Sequence, residues 1–157
     1  MEAKEIVKRL KEKGRVKVRE GNGVVLELIA LPNWNPEVDS EEGVFLLFDI
    51  FQIRTVSEQF SEVSLDIVEY ASKPTIYHTT AGRLMKQGPV VNGQLKFALI
   101  RKDEWNRLLF AYGQPVVLQY SAVSVPDYTT DVFFPLLSAG LKEMFLSPDG
   151  DVKIIKG

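Results

Sequence analysis

The sequence predicts a single α+β domain over residues 1–157, with a mixed, partly antiparallel sheet packed by about four helices. Three observations predict it. Apolar residues recur at helical spacing in some segments and alternate at strand spacing in others. Two glycine-bearing turns, Gly21-Asn22-Gly23 and Asn92-Gly93, each lie between apolar runs, which marks antiparallel hairpins. The chain is 45% apolar and 25% charged, ordinary globular proportions, and its length lets one core form without staples.

The elements follow in order. Ala3, Ile6, Val7 and Leu10 form the apolar stripe of a helix that Gly14 ends. Arg15 to Arg19 alternates strictly, as a half-buried strand does, with its three cations on one face. Val24–Leu31 returns as the second strand. Pro32 to Gly43 reads as a loop, and Val44 to Arg54 as an apolar strand covered on both faces. Val56, Phe60, Val63, Ile67 and Tyr70 predict a helix over 56–70. A short strand at 75–78 precedes a brief helix to Gly88 capped by Thr80. Then come a strand through Phe97 and Leu99, a helix capped by Asp103 and closed by Gly113, and a strand over 116–123. A helix in 131–145 and a last strand at 152–155 complete the order.

The absence of cysteine excludes disulfides, thiolate metal sites and cysteine nucleophiles. The charged start Met1-Glu2-Ala3-Lys4-Glu5 has no apolar signal-peptide core behind it, and the longest apolar runs are strand-sized. The expectation is a soluble, cytoplasmic chain without a membrane partner. The net charge of −2 is unevenly placed: residues 1–19 carry +5, residues 20–72 carry −10 and residues 73–157 carry +3. Such asymmetry marks either segments that neutralise each other in the fold or a surface for a partner. Lys8, Lys11, Arg15, Lys17 and Arg19 are the candidate basic patch, unless the strand cations serve as edge protection. Glu58, Glu62, Asp66 and Glu69 are the candidate acidic patch, or a solvated helix face.

Catalytic signals are few. His78 is the sole histidine, which excludes a two-histidine metal site within one chain and makes it the base of any triad with Ser121 or Ser124. Neither Gly-x-Ser-x-Gly nor a phosphate-binding glycine loop occurs. Thr80, Gly82, Arg83 and Lys86 form a candidate anion site at a helix N-terminus, or a plain cap. Glu37 to Gly43 places carboxylates at alternate positions, as calcium loops do, but lacks the terminal bidentate Glu and reads as a solvated loop. Trp34 and Tyr128 are large apolar residues in loops, read as a contact surface or as lids over the core.

A helix, three strands, a helix and a strand over residues 3–79 resemble the element order of the PD-(D/E)xK nuclease core. That resemblance implies a divalent metal held by strand acids: Glu27 on the second strand, Gln52 and Arg54 at the end of the third, Glu5 from the first helix, and Asp49 as a further metal ligand. Here Gln stands where a carboxylate belongs, and Arg, which stays protonated, stands where the catalytic Lys belongs. Separately, Gly113-Gln114-Pro115-Val116-Val117-Leu118-Gln119-Tyr120-Ser121-Ala122 is similar to the late signature of threonylcarbamoyl-adenylate synthases. That family's early Pro-Thr-Asp/Glu-Thr segment has no counterpart in this chain.

The functional expectation is a non-catalytic binding or accessory protein acting through the basic N-terminal helix and strand and the acidic helix. Its partner is a protein or nucleic acid, homo-oligomers are open to it, and no cofactor is predicted. The alternative is a metal-dependent or degenerate nuclease-like domain with a divalent metal.

Overall fold

The computed structural model describes residues 1–85, 87–121 and 125–157. Three α-helices, α1 (Ala3–Lys13), α2 (Glu62–Glu69) and α3 (Asp103–Tyr112), pack on a nine-stranded sheet. The strands are β1 (Arg15–Arg19), β2 (Val25–Ala30), β3 (Val44–Leu47), β4 (Thr75–Thr80), β5 (Gln94–Leu99), β6 (Val116–Tyr120), β7 (Tyr128–Thr129), β8 (Lys142–Leu146) and β9 (Val152–Lys156). Their spatial order is β7-β1-β2-β6-β3-β5-β4-β8-β9. Three parallel pairs (β1–β7, β3–β5, β4–β8) occur among antiparallel ones, so the sheet is mixed, as the sequence predicts. Among the described residues no helix is long and apolar enough to cross a membrane.

Both faces of the sheet are covered, and side-chain alternation sorts the core into two layers. On one face Val16, Val18, Leu26, Leu28, Val116 and Leu118 meet Ile6 and Leu10 of α1 and Trp105, Leu108 and Leu109 of α3. On the other, Ile29, Phe45, Leu47, Phe97, Val117 and Tyr77 meet Trp34, Ile53, Val56, Phe60 and Val68. β3 sits between β6 and β5 and is buried along its whole length, which explains its continuous apolar run. Trp34 is 7% exposed and is therefore a lid over the core rather than a contact surface.

Left-handed backbone closes several turns, two of which bear on the sequence reading. Asn92 and Gly93 have φ of 53° and 76°, the double positive φ of a type I′ turn, as their sequence predicts. Gly14, at φ 75°, closes α1, and a Cβ there would lie 2.2 Å from the Asn33 side chain.

The structure differs from the sequence reading in several places. The strand expected over 44–54 ends at Leu47, because Asp49 caps a 3-10 helix over Ile50–Thr55 by accepting the Gln52 N–H at 3.1 Å. Gln52 reinforces the break by accepting the Phe48 N–H at 2.6 Å. The helix expected from Val56 starts at Glu62. Ser61 caps it, and the Ser64 hydroxyl anchors it to the carbonyls of Ser147 and Pro148. Its buried side includes Ser64 and Val68, while Val63 and Tyr70 of the expected stripe are 60% and 79% exposed. No helix follows Thr80, since β4 runs through it and the Ala81 and Gly82 N–H groups bond to Gly93 and Val56 carbonyls. Asp103 is the first residue of α3, not its cap, and accepts from Arg107 one turn on. Residues 131–145 hold only a 3-10 turn, Pro135–Leu137, before β8, because parallel pairing with β4 draws Lys142–Leu146 into the sheet.

The loop expected to be solvated is pinned instead. Arg15 donates two hydrogen bonds to Asp39, at 2.7 and 2.5 Å, and a third to the Asn33 carbonyl. Gln119 donates to Glu27 at 2.7 Å, and its carbonyl accepts the Ser40 N–H. Burial pulls the Asp39 carboxyl upward, but the bonds from Arg15 and the Asn35 N–H outweigh it and hold the carboxyl below its ordinary range. A carboxyl depressed in the fold binds its proton more tightly when unfolded, so acid favours unfolding. Asp39→Asn is therefore expected to cost roughly 1–3 kcal/mol at neutral pH. The wild type should lose that margin as the pH falls through and below about 4. Urea melts of both proteins between pH 3 and 7 check this; curves separated by a constant amount at every pH would contradict it.

Candidate functional site

The sheet distributes the candidate residues to separate places. Lys8 and Lys11 are exposed on α1, which covers one face of the sheet, while Arg15, Lys17 and Arg19 project from β1 on the other. One continuous basic patch does not form. Arg15 is occupied by Asp39, with Glu27 a further 3.7 Å contact. On the acidic side, Glu58 lies outside α2 and pairs with Arg83, and Glu69 pairs with Arg101. Glu62 and Asp66 remain together on the helix.

The nuclease-like set is also dispersed. Glu27 pairs in register with Gln119, and the β6–β3 register puts that row at the N-terminal end of β3, two strands from β2. Gln52 lies beyond the C-terminal end of β3, in the 3-10 helix. At about 3.3 Å per residue along a strand and about 4.8 Å between strands, the two are far beyond the reach of one ion ligated at about 2–2.5 Å. Asp49 is spent on its cap, Arg54 lies in the 3-10 helix, and Glu5 is exposed on α1. Among the described residues no three His, Asp or Glu side chains come together as a metal site. Of the anion candidates, Thr80 ends β4, the Gly82 N–H bonds Val56, the Arg83 N–H bonds Glu58, and Lys86 lies outside the described residues. Ser124, the second serine proposed beside His78, lies outside them too. His78 lies 2.5 Å from Glu143, a pairing across β4 and β8.

A different cluster does converge. β4 and β5 are antiparallel with Tyr77 opposite Phe97, so Lys73, just before β4, comes level with Arg101, just after β5. With Lys102 these cations line a cavity of about 240 Å³ at the end of the sheet, walled by Val68, Leu99 and Leu136. No Asp or Glu is among its described lining residues. Arg101 is positioned by the C-terminus of α2, donating to the Val68 carbonyl at 3.0 Å and to the Glu69 carbonyl. Its side chain stays 50% exposed. Tyr77 also lines the cavity, stacked on Phe97 with ring centroids 5.1 Å apart. Burial pushes its phenol up, so it stays a protonated donor.

Lys73, Arg101 and Lys102 were not singled out from the sequence. The available signal was a pair of basic positions flanking two strands, one just before β4 and one just after β5. Reading it required the β4–β5 register, which the Asn92-Gly93 turn does not set, because that turn closes only a bridge between Val91 and Gln94.

The assembled chain is thus a mixed-sheet α+β domain with a small cationic cavity at one end of the sheet. No protein-family model and no curated protein sequence matches it. Two solved structures share the fold over 98% of this chain: full-length HypF in the phosphate- and nucleotide-bound form, at TM-score 0.65 and 14% identity, and the solution structure of MTH1692 from Methanobacterium thermoautotrophicum, at TM-score 0.62 and 13% identity. The chain spans 28% of the HypF chain and 85% of MTH1692.

Arg101 bonds the end of α2, whereas Lys73 is held by no such contact. Arg101→Ala is expected to lower stability by about 1–2 kcal/mol, and Lys73→Ala by less than about 0.5 kcal/mol. Chemical denaturation checks the contrast, and equal losses would show that Arg101 does not hold the helix end.

Proposed function

We propose that this chain is a non-catalytic binding domain that receives the phosphate group of a small ligand in the cavity at Lys73, Arg101 and Lys102. The observation that carries this reading is the convergence of three cations, of which Arg101 also contacts Glu69 at 3.6 Å, on one concave, mostly apolar site. A cavity of about 240 Å³ falls below the roughly 300–1,000 Å³ of pockets that enclose a whole ligand. It fits an anionic head group with the remainder of the ligand lying outside. Arg and Lys donors with a protonated phenol match the oxygens of a phosphate.

One further observation supports a nucleotide as the source of that phosphate. HypF, which shares the fold over 98% of this chain and 28% of its own, was solved with phosphate and nucleotide bound. Binding is favoured over catalysis because the side chains able to do chemistry are engaged in the fold. Glu27 is bonded by Gln119, Asp49 and Gln52 hold the 3-10 helix, and His78 is bonded to Glu143.

Calorimetric titration with inorganic phosphate and with ATP tests the reading. Both are expected to bind the full chain, more weakly at high salt. Lys73→Ala combined with Lys102→Ala should weaken binding at least tenfold, about 1.4 kcal/mol, without unfolding the chain. No heat at millimolar ligand, or unchanged affinity in the double variant, would overturn it.

A further inference from the structure

The 3-10 helix Ile50–Thr55 and the turn after β4 border two adjoining depressions. The smaller, about 180 Å³, is walled by Ile50, Ile53, Phe60 and Leu65. The larger, about 460 Å³, is edged by Ser57, Glu58, Arg83 and Leu84. They meet at Arg54 and Gln59, which line both.

Two large apolar side chains flank this groove in water: Phe51 is 71% exposed and Leu84 89% exposed. Exposed apolar surface joined to a cavity and rimmed by charge is the composition of an interaction site. The charges have one dominant sign. Arg54 is the only cation of the otherwise acidic segment 20–72, and it stands at the junction of the two depressions. Arg83 stands in the larger one with its side chain 90% exposed. Glu58 accepts the Arg83 backbone N–H at 3.1 Å and lies 3.6 Å from the Nε of its guanidinium.

We propose that this groove docks an extended peptide segment of a partner protein, with one large apolar side chain in the smaller depression and carboxylates one to three residues away on Arg54 and Arg83. The size argues for the anchor: a cavity of about 150 Å³ lined by aliphatic and aromatic side chains holds a benzene ring. The charge argues for the acids, since guanidinium groups pair carboxylates through two parallel hydrogen bonds. Glu58 makes the register directional, because a carboxylate placed toward it is repelled.

The test is fluorescence anisotropy on the full chain. The probe is a fluorescein-labelled peptide Gly-Phe-Asp-Asp-Gly, with a panel that moves the acids by one or two positions. At least one panel member is expected to bind saturably below millimolar protein. Replacing its phenylalanine by alanine, or using Arg54→Glu or Arg83→Glu, should weaken binding at least tenfold, while Lys73→Ala at the separate cavity should leave it unchanged. Phe51→Ser, at an exposed position that folding does not need, should weaken it as well. No saturable binding by any panel member would overturn the proposal. So would equal binding by the alanine peptide or the charge-reversed variants. A labelled single-stranded oligonucleotide that bound the same arginines more tightly than every peptide would overturn it in favour of a phosphate backbone.

Discussion

The architecture depends on one placement: β6, formed by Val116–Tyr120, lies between β2 and β3. It bonds β2 on one edge and β3 on the other, so it joins the N-terminal hairpin to the rest of the sheet. Val117 and Leu118 are 0% and 1% exposed and point into opposite core layers. The pairing spans about ninety residues of chain, and closing a loop of that size has an entropic cost before any contact rewards it. α1 covers one face of the β1–β2 hairpin, and β6 then extends that apolar layer through Val116 and Leu118. Parallel pairing of β4 with β8 adds a second long-range constraint and fixes the end of the sheet where the cationic cavity opens.

Charge is organised by the same topology. The segments of opposite sign meet as pairs: Arg15 with Asp39, Lys96 with Glu42, Arg83 with Glu58 and Arg101 with Glu69. Each joins a cation from the basic first or last segment to an acid of the segment 20–72. The Lys96 ammonium holds the Glu42 carboxyl below its ordinary range, but Glu42 is largely exposed and that pair contributes little. Arg15–Asp39 differs, because the Asp39 side chain is 2% exposed and would be left without its cation partner if Arg15 were removed. Lys73 and Lys102 at the cavity and Arg54 at the groove take no part in those pairs, and unlike the exposed lysines of α1 they lie beside a depression.

The sequence predicts the fold class, because periodicity and two hairpin turns are local signals. α1, the β1–β2 hairpin, the Asn92-Gly93 turn and α3 are all legible in short windows. The misreadings share a cause. Val44 to Arg54 carries enough apolar residues for a strand, and only the capping by Asp49 and Gln52 converts its second half to a 3-10 helix. Residues 142–146 have no strong strand pattern and become a strand by pairing with β4. The candidate sites were less legible than the fold. Residues sharing a charge and a stretch of sequence, such as Lys11 and Arg15, fall on opposite faces of the sheet. Residues far apart in sequence, such as Lys73 and Arg101, are brought level by strand register.

The central claim is that this fold presents its anion site at the end of β4 and β5, not along the basic first strand. Amide chemical-shift mapping by NMR during titration with inorganic phosphate tests it most directly. The account predicts shifts confined to residues 71–75 and 99–102, saturating with phosphate and suppressed at high salt. Shifts centred on Lys17 and Arg19, or none at millimolar phosphate, would contradict it.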